Sequence, residues 1–353
     1  MTNLATHKTN KLKAIRFETP DYIPMSFHIN SACWESYNQD ELLDLMESHK
    51  FLFPNFKRPT TKQKVSCGNV TTKGLDYVDD WGCTWQTTTN GITGTVTKHP
   101  LSNWDNFLNY KAPDPMKCTG IGNINWGNTE NDIKCIKEKG GLTSGGLRHG
   151  HTFLQLCDIR GYENLIFDMM DEEPNLLKLI NLIESFNLKI VKNFVNMGVD
   201  IIEYPEDLGM QKGPMLSPSN FVKYIKPSYQ RLMQPARDKN ILVHMHSDGD
   251  IRLLVDDIID GGVDILNLQD LVNGVDWIAN KFTGKTCIEL DIDRQSITRF
   301  GSPKQIDALI HEEVSKLSTK QGGLMMIFGL YPGTPIENVK ALMDAMEKYA
   351  FYY

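Results

Sequence analysis

The second half of the chain alternates short apolar runs with longer amphipathic segments. Five runs rich in β-branched residues fit buried strands, at residues 199–204, 241–246, 263–268, 286–291 and 324–328. The longer segments predict helices at about 174–197, 218–237, 251–261, 303–317 and 335–349. This alternation is typical of βα units around a parallel sheet. We therefore predict an α/β fold, a (β/α)8 TIM barrel with its polar site residues at the carboxyl ends of the strands.

Two capping motifs in the sequence indicate where helices begin. Ser302-Pro303 with Gln305 and Thr334-Pro335 with Glu337 each combine an N-cap residue, a proline at the first helical position and a capping-box partner. Both motifs predict that a helix begins at the proline.

The first half is less regular. Residues 22–29 read as a first barrel strand, and Thr95-Val96-Thr97 resembles a short hairpin strand. Residues from about 30 to 150 are rich in Thr, Asn, Gly and Trp. We interpret them as an irregular insertion, a lid over the C-terminal face of the barrel, within a single domain that spans residues 1–353.

Composition limits the classes of function. The net charge of −7 argues against nucleic-acid binding, which depends on a basic surface. No run approaches the roughly 20 apolar residues that span a membrane, and residues 1–13 lack the apolar segment of a secretory signal. The seven cysteines form no CxxC pair, which indicates reduced thiols. We expect a cytoplasmic protein with no membrane or nucleic-acid partner.

The strongest candidate for chemistry is the segment His244-Met-His246-Ser-Asp248 at the end of an apolar run. Residues two apart face the same side of a strand, so these three side chains point together. Imidazole and carboxylate groups there can bind zinc or act as acid and base. The alternative is that one histidine is hydrogen-bonded in the barrel interior and Asp250 caps the next helix.

Acidic side chains follow two other predicted strands. Glu206 and Asp207 can hold a metal or orient a hydroxyl, or else belong to a solvated loop with a helix cap. Glu289, Asp291 and Asp293 alternate and can share a face, although Arg294 can equally neutralise them. In the predicted lid, Asp79-Asp80-Trp81 and Arg148-His149-Gly150-His151 are further polar and aromatic clusters.

These segments carry a resemblance to a known superfamily. The matching pieces, in order, are EDLGMQ at 206–211, GPMLSP at 213–218, HSDGDI at 246–251, GVDILN at 262–267, DIDRQ at 291–295 and GTPIEN at 333–338. From about residue 153 to the end, the chain resembles the uroporphyrinogen decarboxylase-like superfamily. That resemblance implies the (β/α)8 barrel.

Within this superfamily, the sequence is more similar to the methyltransferases than to the decarboxylases. Decarboxylases grip a porphyrinogen with an arginine-rich N-terminal segment, whereas residues 22–34 contain no arginine. Members that methylate a thiol bind zinc through His-x-Cys and a later cysteine. Here His246 is retained, Asp248 stands where that cysteine would be, and no cysteine lies near Gly329 and Leu330. A thiol acceptor is therefore disfavoured.

The resemblance implies a methyltransferase I of O-demethylation, which moves methyl from a methoxylated aromatic to cob(I)alamin on a separate corrinoid protein. The chain has no DxHxxG pattern of its own for a corrinoid, and a homodimer is expected by resemblance. We expect catalysis from His246, Asp248 and Glu206, and zinc binding from these three with Glu289. The residues expected to contact the substrate are Asp80, Trp81, His149, Asp207 and His244.

Three other functions stay open. Methyl transfer from a methylated corrinoid to a thiol or a folate uses the same barrel, and the absent cysteines do not argue against the folate version. Uroporphyrinogen-type decarboxylation and a non-catalytic corrinoid-binding module are the remaining hypotheses. The converging acids at Glu206, Asp207 and Asp248 count against the binding module.

Overall fold

Parallel strands and helices alternate along residues 4–353, the part of the chain that the structure, a computed structural model, describes. The strands of the parallel-sheet type are β1 (Met25–Ile29), β2 (Ser144–Gly146), β3 (Ile201–Pro205), β4 (Leu242–Ser247), β5 (Ile265–Gln269), β6 (Cys287–Asp291) and β7 (Leu324–Leu330). Six of them overlap the predicted strands to within three residues at each end. The α/β barrel class is confirmed, with seven parallel strands in the described residues.

The helices differ widely in length. They are Leu4–Arg16, Cys33–Ser36, Gln39–Ser48, Trp126–Glu138, Phe153–Arg160, Tyr162–Met170, Pro174–Met197, Pro218–Asn220, Lys226–Arg237, Val255–Asp260, Asp270–Asn273, Val275–Phe282, Ile297–Phe300, Pro303–Leu317 and Ile336–Ala350. The predicted helix at 218–237 is divided by a π-helical turn at Phe221–Ile225. Ser302 forms its capping box with Gln305, whereas the last helix begins one residue late, after Pro335.

The described residues divide into two compact units. The first comprises residues 4–73, 88–93 and 267–353, and the second comprises 74–87 and 94–266. In the first unit, β7 pairs in parallel with both β1 and β6. Phe27 lies opposite Phe328, with ring centroids 5.2 Å apart. Every residue of β6 is buried, including the acidic residues Glu289 and Asp291.

In the second unit, β3 pairs in parallel with β2 on one side and β4 on the other. Glu203 lies opposite His244, and Pro205 opposite His246. Along β4, Val243, Met245 and Ser247 are buried while the residues between them are half-buried. The predicted period of two in this strand is therefore confirmed, and His244 and His246 share a face.

The segment from 30 to 150 is more regular than predicted. It contains two helices of ten or more residues, Gln39–Ser48 and Trp126–Glu138. A small antiparallel sheet is formed by Tyr77–Val78, Thr84–Gln86 and Thr95–Lys98, which includes the predicted hairpin strand. Strand β2 pairs with β3, so the barrel resumes by residue 144 rather than 150. Within residues 4–353, no helix combines the length and apolarity needed to cross a membrane.

Candidate metal centre

Three side chains of the second unit converge where its parallel strands end. His149 follows β2, Asp207 follows β3 and His246 lies near the end of β4. Because parallel strands end at the same edge of a sheet, their carboxyl ends bring these residues together. Nε2 of His149 lies 3.3 Å from Oδ1 of Asp207, and Nε2 of His246 lies 3.5 Å from the same oxygen.

The donor set suits a divalent metal ion. One ligand atom from each of His149, Asp207 and His246 lies within 4.8 Å of the other two. Ligand atoms about 2.1 Å from a tetrahedral zinc are roughly 3.3–3.5 Å apart, which matches the two separations from Asp207. Imidazole nitrogen and carboxylate oxygen are both ordinary zinc ligands. The residues therefore fit zinc, and this group contains no cysteine.

Asp207 is the negative centre of the group. Burial favours the neutral acid, but hydrogen bonds and charge from His149 and His246 outweigh burial and hold the pKa of Asp207 well below its usual value. The carboxylate is thus ionised at neutral pH, the form that a metal requires.

The group is open on one side. The exposed fraction of the side chain is 52% for His149, 27% for Asp207 and 19% for His246. A structural zinc site is closed by four protein ligands, whereas a catalytic site keeps a position for substrate. Three partly exposed ligands correspond to the catalytic type.

Asp248 and His244 lie beside this group. Oδ1 of Asp248 is 3.5 Å from Nε2 of His246, and the backbone N–H of Asp248 donates to Asp207 at 3.1 Å. His244 is half-buried on the same face of β4 as His246. Asp248 thus lies beside His246, as do His149 and Asp207, while a role for His244 in the site stays a prediction.

Glu206 has different surroundings from its neighbour. It is completely buried and accepts hydrogen bonds from the backbone N–H groups of Thr152, Phe153 and Leu154 and from the hydroxyl of Tyr229. Burial raises the pKa of Glu206 to about 7, despite the backbone hydrogen bonds that lower it. Its placement as a metal ligand stays a prediction that these contacts do not favour.

Arg148, which the sequence analysis named only as part of a polar cluster, supports the His149 segment. Its side chain is 5% exposed. The guanidinium donates to Gln155 at 2.6 Å and to Asp158 at 2.9 Å, and its Nε donates to the carbonyl of His149 at 3.1 Å. It also lies over the ring of Trp85. Its place next to His149 was the only signal in the sequence. Tyr229, in the middle of a helix, had none.

The two expected lid residues are placed differently. Asp80 is exposed. Trp81 is 2% exposed, with its ring edge-on to Phe186 at 5.1 Å and its carbonyl accepting from Tyr110. Asp79, between them and the strand, accepts from the indole N–H of Trp85 at 2.8 Å. These contacts make Trp81 part of the packing of the second unit.

The third acidic cluster lies in the first unit. Glu289 is 3.3 Å from Nζ of Lys11, and Asp291 forms an ion pair with Arg294 at 2.8 Å. Asp293 accepts backbone N–H bonds from Gln295, Ser296 and Thr298, and so caps a short helix. The neutralising role of Arg294 and a helix-capping role therefore account for Asp291 and Asp293.

A family model described as uroporphyrinogen decarboxylase (URO-D) matches residues 149–349, more than half of the chain. The chain belongs to the URO-D family. The matched segment contains His149, Asp207 and His246, and membership of this family supports an enzymatic role.

The curated relatives share less than 30% sequence identity with this chain, over about half of it or less. Uroporphyrinogen decarboxylase of Thermus thermophilus is 29% identical over 140 residues, 38% of each chain. The enzyme of the same name from Prochlorococcus marinus is 24% identical over 186 residues, 51% of this chain and 50% of that protein. This member of the URO-D family thus spans half or less of the length of these curated relatives.

One solved structure matches almost end to end. A methyltransferase from Methanosarcina mazei superposes with a TM-score of 0.66 over 98% of this chain and 99% of that one, at 19% sequence identity. At this identity the match shows the shared fold, in agreement with the barrel predicted from the sequence.

Proposed function

We propose that this URO-D family member is a methyltransferase that takes a methyl group from a methoxylated aromatic ether and gives it to the cob(I)alamin of a separate corrinoid protein. The bond between the methyl carbon and oxygen breaks, its electron pair stays on oxygen, and cobalt supplies the pair for the new bond. The observation that supports this proposal most directly is the convergence of His149, Asp207 and His246.

The ligand chemistry favours an oxygen substrate. Thiol activation by zinc favours soft thiolate ligands, and this group offers two imidazoles and one carboxylate. Zinc, when bound, supplies positive charge that stabilises the negative charge developing on the departing oxygen. His149, Asp207 and His246 would hold the ion, and the exposed side of His149 leaves room for the ether.

Proton delivery falls to the residues beside the ligands. Asp248, with 37% of its side chain exposed, lies next to His246 at the same opening. From this position its carboxyl group can act as the general acid toward the phenolate oxygen as that oxygen leaves. Asp207 is unsuited to this task, since the two histidines keep it ionised.

The test combines metal content with turnover. Purified protein is analysed for zinc and assayed spectrally with free cob(I)alamin and a panel of methyl donors. We expect one zinc per chain and methylcobalamin formed from a methoxyaromatic. His149→Ala and His246→Ala should lose both, while His311→Ala, at an exposed position far along the chain, should lose neither. Methyl transfer that survives complete loss of metal would rule out the proposed role of the site.

Decarboxylation of a porphyrinogen is the second candidate, favoured by the names of the curated relatives. The absence of arginine from residues 22–34 argues against it, because bidentate guanidinium groups recognise carboxylates best. Release of carbon dioxide from uroporphyrinogen, with no methyl transfer from any donor, would favour this candidate over the first.

A further inference from the structure

The helix Phe153–Arg160 begins four residues after His149 and lacks a capping side chain of its own. The first N–H groups of a helix have no partner within it, and Thr152 at the N-cap position makes no side-chain capping bond. The carboxylate of Glu206 fills this role from another strand end. Oε2 accepts from Thr152 at 3.0 Å and Phe153 at 2.8 Å, and Oε1 accepts from Leu154 at 3.1 Å.

Glu206 also touches the other two segments that carry the site. It is the residue before Asp207, and its backbone N–H donates to the carbonyl of His246 at 3.0 Å. The hydroxyl of Tyr229 donates to Oε2 at 3.1 Å and further restrains the side chain of Glu206. One buried residue thus links the segments of His149, Asp207 and His246.

These contacts suit an anion and oppose a cation. The N-terminus of a helix carries partial positive charge, which stabilises a carboxylate and repels a metal ion. Three backbone N–H groups and one hydroxyl already occupy the carboxylate of Glu206. The residue therefore organises the site without entering the ligand set.

We propose that Glu206 is a positioning residue that holds the His149 segment against Asp207 and His246 before any metal binds. The proposal rests on the metal site of the proposed function. The turn at Gly150 is consistent with this role. Its φ of +72° lets the backbone turn tightly between His149 and the helix that Glu206 caps. The backbone N–H of Gly150 donates to the carbonyl of Pro205 at 2.9 Å, next to Glu206.

The experiment uses Glu206→Gln, which keeps the size of the side chain but replaces one acceptor oxygen by an N–H₂ group facing backbone donors. Zinc affinity is measured by competition with a chelator, and amide hydrogen exchange at residues 152–154 is measured in the metal-free protein. We expect zinc affinity to fall about 10–100-fold, the usual cost of losing an outer-shell partner, and exchange to become faster. Tyr229→Phe should shift both in the same direction by less.

The matched control is Asp200→Asn. Asp200 accepts from the backbone N–H and the hydroxyl of Thr143, at 2.8 Å and 2.9 Å, at the opposite end of β2 and β3. This variant also loses a carboxylate that joins these two strands, so it should lose stability while zinc affinity and exchange at 152–154 stay unchanged.

Each outcome separates this proposal from the proposed function. Unchanged zinc affinity in Glu206→Gln, or an equal loss in Asp200→Asn, overturns the positioning role. Complete loss of zinc with unchanged exchange at 152–154 also overturns it, because Glu206 would then be a ligand. If the wild-type protein binds no zinc, the proposed function fails, and the exchange measurement alone decides whether Glu206 holds the segment.

Discussion

Oδ1 of Asp207 lies 3.3 Å from Nε2 of His149, although the two residues follow different strands. The strands β2 and β3 pair in parallel, which places both strand ends at one edge. Nε2 of His246 approaches the same oxygen from β4. Two of the five residues expected to contact substrate, His149 and Asp207, therefore form the candidate metal group with His246.

This arrangement predicts that Asp207 contributes more to zinc affinity than Asp248. Asp207→Asn removes the negative charge shared by both histidines, so we expect zinc affinity to fall more than about 100-fold, beyond the range for outer-shell partners. Asp248→Asn should lower zinc affinity about 10-fold or less, since in the proposed site Asp248 lies beside the ligand His246 and is not itself a ligand. Chelator competition measures both. The reverse order would identify Asp248 as the ligand, as the sequence suggested.

A second prediction concerns pH and His151. Burial lowers the pKa of His151 from 6.5 to about 3, so the folded protein keeps this imidazole neutral while the unfolded chain binds a proton. This contribution to the free energy of unfolding is complete above pH about 6.5 and is lost as the pH falls toward 3. The expected slope reaches at most about 1.4 kcal/mol per pH unit.

His151→Gln should make that slope shallower. The measurement is urea unfolding of metal-free protein at pH about 7, 6 and 5. His311→Gln, at an exposed position, is the control. An identical slope in the wild type and His151→Gln would contradict the prediction.

Arg148 should matter for stability as well as for the site. Arg148→Met leaves the half-buried carboxylate of Asp158, 17% exposed, without its cation. Breaking a fully buried pair costs about 3–5 kcal/mol, so the loss of stability should be at most of that size. Burial already raises the pKa of Asp158 to about 6 against the effect of Arg148, so the loss should grow as the pH rises above that value. Urea unfolding measures the loss. The double variant Arg148→Met with Asp158→Asn should recover part of the lost free energy of unfolding. No recovery would show that the loss does not come from the unpaired Asp158.

Gly249 allows two loops to meet. Its φ is +79°, and an added Cβ would lie 2.2 Å from the backbone of Gly209. Gly249→Ala should therefore cost more than the roughly 1–2 kcal/mol of left-handed backbone strain alone, and should displace Asp248. Gly284→Ala is the control, because Gly284 has a similar φ of +71° with no atom near its Cβ position. Equal losses in the two variants would exclude the close contact as the cause.

A substitution of Trp81 tests whether this residue packs in the core or contacts the substrate. Because its ring is buried against Phe186, Trp81→Phe should lower the free energy of unfolding by about 1–3 kcal/mol and leave KM for the methyl donor unchanged. Steady-state kinetics and urea unfolding check this pair of results. A raised KM at unchanged stability would show that Trp81 contacts the substrate, as the sequence suggested.

The sequence by itself determined the strands whose side chains carry a pattern. Buried runs such as 286–291 and 324–328 and the alternation of His244 with His246 are local properties of the chain. Strand β2 was missed because Ser144, Gly145 and Gly146 show no such pattern. Gly145 is required there by a distant residue, since an added Cβ would fall 2.1 Å from the ring of Phe194.

The tertiary structure decided which polar residues meet. Glu206 and Asp207 are neighbours in sequence with the same chemistry, yet one turns to the helix at 153 and the other to two histidines. His149 and Trp81 both lie in the segment interpreted as a lid, yet one opens on the site and the other packs in the core. A sequence pattern reports the periodicity of one segment, whereas a site joins side chains from separate strands. Only parallel pairing of β2, β3 and β4 sets those distances.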